Sequence, residues 1–407
     1  MVGRRLDAAA QGVGLAPVLQ PIVALSDEAI VGYEALARWP SLNNPCPIDV
    51  FAYASAAGQL DELDQLCIDA AIRTALRRRL PRGTMLAINC EPLSTYVGRA
   101  DDDVLARGHD ELTLMFELTE RSLLTHPHAL LAKVAALRQD GFAIALDDVG
   151  AHPDSLALLD VLSPDVIKLD LHLVQSQPRR NQARTLAAIL AHHERAGAVI
   201  IAEGIENDDH LEQALALGAC LGQGHKYACP GPLNQARVWA PSIKTSSPRL
   251  VSGSPFDILT SDAPLRTARK RTLTALSRHI EDQASHTTDP PIVLTTLQHA
   301  QHFTAATQRR YLDLAQSSPL VAIFGQHLPP DLGSSIRGVH LSPDDPLCSE
   351  WAVLALGAQI AVALIAHERH DHSNQQQPDN DRRFDFTITY NRSLVTAVAH
   401  NLLDRIL

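Results

Sequence analysis

Cysteine is scarce in this chain, and none of it is closely paired. The six cysteines, Cys46, Cys67, Cys90, Cys220, Cys229 and Cys348, contain no CxxC spacing. In a chain of 407 residues they read as reduced, mostly buried thiols of a cytoplasmic protein. Basic charge is also short: 35 Lys and Arg stand against 46 Asp and Glu, a net charge of −11. A broad duplex-nucleic-acid footprint wants a basic face, so no such partner is expected. A small phosphate ligand stays open, because bound metals reverse the local sign of a pocket. No apolar core follows the arginines of MVGRRLDAAAQG, so a signal peptide is not expected. The longest apolar stretch, Trp351 to Ala366, is interrupted by Gln359. It is short for a membrane span and reads as a buried helix or strand pair. There is no internal repeat. The chain reads as soluble and, from its length, as two domains.

Up to about Leu233, strand-like and helix-like segments alternate. Strands are predicted at Ala16–Leu25, Ile30–Trp39, Met85–Cys90, Leu112–Glu117, Phe142–Asp147, Val166–Leu169 and Val199–Ala202. Several are near-continuous apolar runs, as in strands covered on both faces. Helical periodicity fills Ile48–Arg79 (one helix or two), His128–Gln139, Asn181–Ala196 and Asp208–Leu217, the last three with a glycine in the stop position. Seven or eight such units point to a closed parallel α/β barrel rather than an open sheet. Five prolines and several serines between Pro230 and Pro255 mark a boundary. Beyond it, an amphipathic helix is predicted at Ala263–Glu281, strands at Ile292–Leu297, Leu320–Gly325, Ala352–Leu356 and Phe384–Tyr390, and a closing helix at Leu394–Leu407. His367–Arg383 reads as a loop; its histidines, in HERHDH, fit a solvated loop better than a metal site.

The chemistry lies at the strand exits. The runs YEAL, AINC, FELTE, ALDDVG and IAEGIE each end in a carboxylate or amide, and IKLD adds a lysine. This places Glu34, Asn89, Glu117, Asp147, Asp148, Lys168 and Glu203 where a parallel barrel gathers its active site. Taken singly, each has a plainer reading, such as a solvated loop acid, a helix cap or a surface pair. Their joint occurrence at successive strand ends outweighs those readings. Hard divalent cations need several oxygen ligands at once. Asp147 is placed to bridge two metals, with Glu34, Asn89 and Glu117 completing one site and Asp148 and Glu203 serving the other. Two metals so held activate water for in-line attack on phosphorus. The oxygen-only set suits magnesium or manganese, and the lack of histidine argues against zinc. Lys168 is placed to orient the attacking water, and Arg38 to hold a phosphate oxygen.

These residues resemble the EAL family of cyclic di-GMP phosphodiesterases, over roughly Leu15 to Leu233. The resemblance is carried by LQPIVAL with Gln20, YEALARW with Glu34, Leu36 and Arg38, INCEP with Asn89, and FELTE with Glu117 and Glu120. It continues through DDVG with Asp147 and Asp148, IKLD with Lys168 and Asp170, AEGIE with Glu203, and GQGHKYACP with Gln223. It implies a modified TIM (β/α)8 barrel whose first strand runs antiparallel to the others. It implies hydrolysis of cyclic di-GMP to linear pGpG with two Mg2+ or Mn2+ ions. By this resemblance Glu34, Asn89, Glu117, Asp147, Asp148 and Glu203 bind metal, and Lys168, Glu203 and Glu34 act in the chemistry. Gln20, Leu36, Arg38, Asp170 and Gln223 contact substrate, Glu120 braces the loop after Asp148, and the protein is a homodimer. The loop Val149–Ser155 departs from the family's glycine- and aromatic-rich pattern. The alternative is therefore a weak or inactive cyclic di-GMP receptor that signals through the rest of the chain. The second part is similar to the DICT sensory domain, on Pro255–Glu281, Val321–Gly325, Asp345–Gly357 and Asp381–Asn391, which implies a smaller α/β sensory unit whose ligand is not named. The expected organisation is a tail at 1–14, the barrel at 15–240, a linker at 241–254 and the sensory domain at 255–407.

Overall fold

A computed structural model describes residues 2–119, 122–151, 156–157, 159–176, 179–231, 253–260, 263–287, 289–300, 303–333, 336–369 and 378–406. Glu120, His152–Ser155, His370, His372 and most of the expected linker lie outside the described residues. The chain divides into two compact units, Met1–Pro153 with Ser163–Ser247, and Asp154–Leu162 with Pro248–Leu407.

The first unit is a closed eight-stranded barrel in the order β1 to β8. The strands are β1 Val18–Ala24, β2 Ile30–Leu36, β3 Met85–Asn89, β4 Thr113–Thr119, β5 Ala143–Val149, β6 Val166–Leu169, β7 Val199–Ala202 and β8 Leu221–Gly222. β1 is antiparallel to both neighbours, β2 and β8, and β2 to β8 run parallel. A short β1–β2 hairpin forces that reversal, because only a long crossover returns a strand parallel to its predecessor. β8, two residues long, is the strand the sequence pattern does not reveal: no periodicity is readable in so short a run.

The predicted helical stretch Ile48–Arg79 is two helices, Pro47–Ala57 and Leu60–Arg77, broken at Gly58 with φ +70°. Gly197, with φ +71°, ends the helix Arg180–Ala196. The segment before β1 carries a helix, Val2–Ala10. Among the described residues no helix is long and apolar enough to cross a membrane.

The barrel interior holds Ile22, Met85, Ala87, Met115, Ala143, Ala145, Val166, Ile201 and Leu221. Side chains on a strand alternate between faces. Continuing each inward series by two residues toward the strand exit gives Asn89 from Ala87, Glu117 from Met115, Asp147 from Ala145, Lys168 from Val166, Glu203 from Ile201 and Gln223 from Leu221. The apolar filling and the polar rim are thus one phase of one pattern.

The second unit is a seven-stranded mixed sheet in the order β12-β11-β10-β13-β14-β15-β9. Its strands are β9 Arg266–Arg269, β10 Ile292–His299, β11 Val321–Gln326, β12 Ile336–His340, β13 Glu350–Leu356, β14 Ala361–Glu368 and β15 Arg383–Thr389. The predicted helix Ala263–Glu281 is a strand followed by a helix, β9 and then Lys270–His286. Here β9 pairs with β15, and that tertiary pairing overrides local helical propensity. The apolar stretch Trp351–Ala366 lies in the antiparallel pair β13–β14, and the closing helix is Arg392–Leu403.

Candidate active site

Lys168 is the hub of the barrel mouth. Its side chain is 1% exposed, and Nζ lies 2.8 Å from Glu203 Oε1, 3.0 Å from Glu117 Oε1, 3.0 Å from Asp147 Oδ1 and 3.4 Å from Glu34 Oε2. These four acids come from β2, β4, β5 and the exit of β7. A buried ammonium is costly unless it is paired, and here the pairing is in excess. The four carboxylates hold the ammonium well above the usual lysine range despite its burial. In return, burial and the charges of Glu34 and Asp147 lift Glu117 well above the usual carboxylate range against the pull of Lys168. Burial pushes Glu203 up to about 8, with Lys168 opposing and Asp147 and Glu34 adding to the shift. Glu34 goes the other way. Burial alone would raise it, but Lys168 and hydrogen bonds from Gln223 and Asn89 outweigh burial and leave it low. Asn89 Nδ2 donates to Glu34 Oε1 at 3.1 Å, and Gln223 Nε2 to Glu34 Oε2 at 2.6 Å.

Glu117 Oε1 and Asp147 Oδ1 each have the Lys168 ammonium at 3.0 Å, while Glu117 Oε2 is a buried oxygen without a hydrogen-bond donor. Such orphaned acceptors are rare in proteins. Asp147, Asp148 and Glu203 each bring a carboxylate oxygen within 4.8 Å of the others. Asp148 is out of phase with the inward series and reaches this group through its backbone. Its φ is +56°, and the β5–β6 register shifts between Leu146 and Val149. A bulge of this kind re-aims a side chain. The oxygen-only donors, the excess negative charge and the unpartnered Glu117 Oε2 all fit a divalent cation.

Beside the acids lies a cavity of about 480 Å³, lined by Glu34, Leu36, Arg38, Asn89, Glu117 and Phe51 among others. Arg38 donates to Ala37 O at 2.8 Å and makes no ion pair among the described residues. Gln20 sits opposite Glu34 in the β1–β2 register. Asp170 caps the short helix Leu171–Gln175, its Oδ1 accepting from His172 N at 2.9 Å. Gly224, after Gln223, passes against the chain at Ile205, where a Cβ would lie 2.1 Å from the Ile205 carbonyl oxygen. The closeness of that approach holds the segment carrying Gln223 against the rim.

Sequence reasoning missed the support under Asn89. Asp64 Oδ1 accepts from Glu91 N at 3.0 Å, and its Oδ2 accepts from Ser94 Oγ and, at 3.2 Å, from Lys133 Nζ. Lys133 Nζ also donates to Glu91 O at 2.5 Å and Ser94 O at 3.2 Å. The turn after β3 is therefore held by a buried pair from two helices, with Cys90 Sγ also 3.7 Å from Asp64 Oδ2. Asp64 stands beside Leu63 and Cys67 on the buried face of its helix, and an acid on an apolar stripe was the signal available.

Residues 4–230, more than half of the chain, match the family model of the EAL domain. The chain belongs to the EAL family. Residues 258–369 match DICT, the sensory domain in diguanylate cyclases and two-component systems. Among curated relatives, the EAL barrel is similar to the cyclic di-GMP phosphodiesterase RocR of Pseudomonas aeruginosa, with 30% identity over 226 residues covering 52% of this chain and 56% of the relative. It is similar to the probable cyclic di-GMP phosphodiesterase PdeG of Escherichia coli, with 29% identity over 227 residues covering 53% of this chain and 44% of the relative. A solved structure of Klebsiella pneumoniae BlrP1, described as a calcium and cyclic di-GMP complex, is 27% identical with a TM-score of 0.44, covering 53% of this chain and 55% of that one. The chain spans from 27% to 56% of the length of relatives such as the Sinorhizobium fredii protein y4lL and RocR.

Proposed function

We propose that the EAL barrel hydrolyses one phosphodiester bond of cyclic di-GMP, yielding linear pGpG. The observation that carries this reading is the cup itself: Glu34, Glu117, Asp147 and Glu203 converge within 3.4 Å of Lys168. Glu34 and Glu117 of that cup line a cavity together with Arg38. Relatives named as cyclic di-GMP phosphodiesterases support the substrate. Two Mg2+ or Mn2+ ions would be held by Glu34, Asn89, Glu117, Asp147, Asp148 and Glu203. Bound there, they supply a polarised water and neutralise charge on the phosphoryl group. Arg38 binds a non-bridging phosphate oxygen. Lys168 Nζ, kept protonated by the acids around it, donates a hydrogen bond that orients the attacking water. Leu36 and Gln223 line the substrate's path, with Gln20 at the neighbouring strand position. A role for Asp170 toward substrate rests on the family resemblance, as does that of Glu120 as a loop brace.

We further propose a cytoplasmic homodimer whose turnover is set by the DICT unit. Purified protein incubated with cyclic di-GMP and Mg2+ or Mn2+ is expected to release pGpG, resolved by ion-pair chromatography. Tight binding with no pGpG under any divalent ion would instead establish a receptor.

A further inference from the structure

The second unit has a cavity of its own, about 290 Å³, roofed by the helices Lys270–His286 and Ala305–Leu314 and floored by β10, β13 and β15. Most of its polar wall is tied together by hydrogen bonds. Glu281, 2% exposed, accepts from Tyr311 Oη at 2.6 Å and from Arg310 Nε. Tyr311 lies 3.3 Å from Thr295 Oγ1, which donates to Ala352 O at 3.0 Å. Thr296 Oγ1 donates to Glu350 O at 2.9 Å and accepts from Ala352 N at 2.7 Å. One lining group breaks the pattern. Ser277, 5% exposed, has its Oγ buried with no hydrogen-bond partner. A buried hydroxyl without a partner is rare in native proteins, and a ligand with a polar atom within its reach satisfies it.

The lining's charge and shape define the ligand. Lys270, Arg278, Arg310 and Arg382 line the cavity, and Glu281 is the one acid among the lining residues. Lys270 and Arg382 are paired to Asp379 and Glu368, which stand outside the lining. Arg278 makes no ion pair among the described residues. Arg310 gives one donor to Glu281, and a guanidinium has five. The apolar part of the wall is aromatic: Trp351 and Phe384 meet edge to face with ring centroids 6.0 Å apart, so their two planes form a corner. The volume is at the small end of ligand pockets, which favours a molecule of one or two rings over a dinucleotide.

We propose that this cavity is the ligand site of the sensory unit and that it takes a small aromatic carboxylate. The ring lies against Trp351 and Phe384, the carboxylate faces Arg310 and Arg278, and Ser277 Oγ donates to it. The proposal is independent of whether the barrel turns over.

Isothermal titration of the full chain with 2-naphthoate, and with 2-naphthylmethylamine as its cationic counterpart, tests it. One naphthoate is expected to bind per chain, with the amine about tenfold weaker or more, a difference of about 1.4 kcal/mol. Ser277→Leu, which fills the void, is expected to abolish naphthoate binding. Arg278→Glu, at an exposed position that tolerates substitution, is expected to weaken it about tenfold. Absence of naphthoate binding, equal affinity for the amine, or Ser277→Leu protein that binds like the parent overturns the proposal. If Ser277→Leu fails to fold, undiminished affinity in Arg278→Glu does the same.

Discussion

Lys133 Nζ lies 3.2 Å from Asp64 Oδ2, and both side chains are 3% exposed. The pair joins the helices Pro127–Gln139 and Leu60–Arg77 and holds the turn that follows Asn89. Removing one partner strands the other charge, which costs about 3–5 kcal/mol. Asp64→Ala is expected to lower the barrel's unfolding free energy, measured by chemical denaturation, by that much. Replacing both by apolar residues of similar volume is expected to recover most of it. A double replacement as unstable as the single one would contradict the pairing.

Lys168 is expected to matter for turnover more than for binding. Lys168→Ala should lower kcat by about 10²–10³-fold while manganese still binds, because every proposed ligand remains. Titration calorimetry with Mn2+ alone and pGpG release under saturating cyclic di-GMP separate the two. Loss of manganese binding in this variant would refute the assigned role.

Divalent ions are expected to raise thermal stability. A ligand held only by the folded state contributes about 2.7 kcal/mol at a hundredfold excess over Kd. Chelation with EDTA should reverse the gain, and Glu117→Gln should abolish it. A Glu117→Gln protein that Mn2+ still stabilises fully would remove that carboxylate from the ligand set.

Gly224→Ala is expected to destabilise the barrel by about 1–3 kcal/mol, because the added Cβ would sit 2.1 Å from Ile205 O, a backbone atom that cannot swing away. Chemical denaturation measures the loss. A neutral outcome would mean that the rim relaxes around Gln223.

The DICT unit carries its own pH dependence. Burial raises the Glu350 carboxyl from 4.5 to about 7, opposed by its bond from Phe256 N. The folded unit therefore binds this proton more tightly than the unfolded chain. Its contribution, about 3 kcal/mol, is full below pH 4.5 and is lost as the pH rises through about 7. Scanning calorimetry from pH 4 to 8 is expected to show this slope in the parent and its absence in Glu350→Gln. An unchanged slope in that variant would assign the proton elsewhere.

Much of the barrel and its rim is legible in the chain because strand geometry has a period of two. Once Met85 and Ala87 face inward, Asn89 follows, and the same count leads from Ala145 to Asp147 and from Val166 to Lys168. Nothing local marks β8, and nothing in the helical run at Ala263–Glu281 announces β9, whose pairing partner β15 is over a hundred residues away. Asp64 and Lys133 each read as ordinary helix-surface charges until two separate helices bring them together.

Alternation, a property of each strand taken singly, put Asn89, Glu117, Asp147, Lys168 and Glu203 in the inward phase, whereas Asp148 reaches the rim only through the bulge in β5. Only the closed fold decided what those side chains do to one another. Four acids from different strands crowd one buried ammonium, and burial, with the neighbouring acids adding to it, raises Glu117 and Glu203 while Glu34 stays low. Proton affinity and metal affinity depend on distance and burial, and no single segment of the chain contains either.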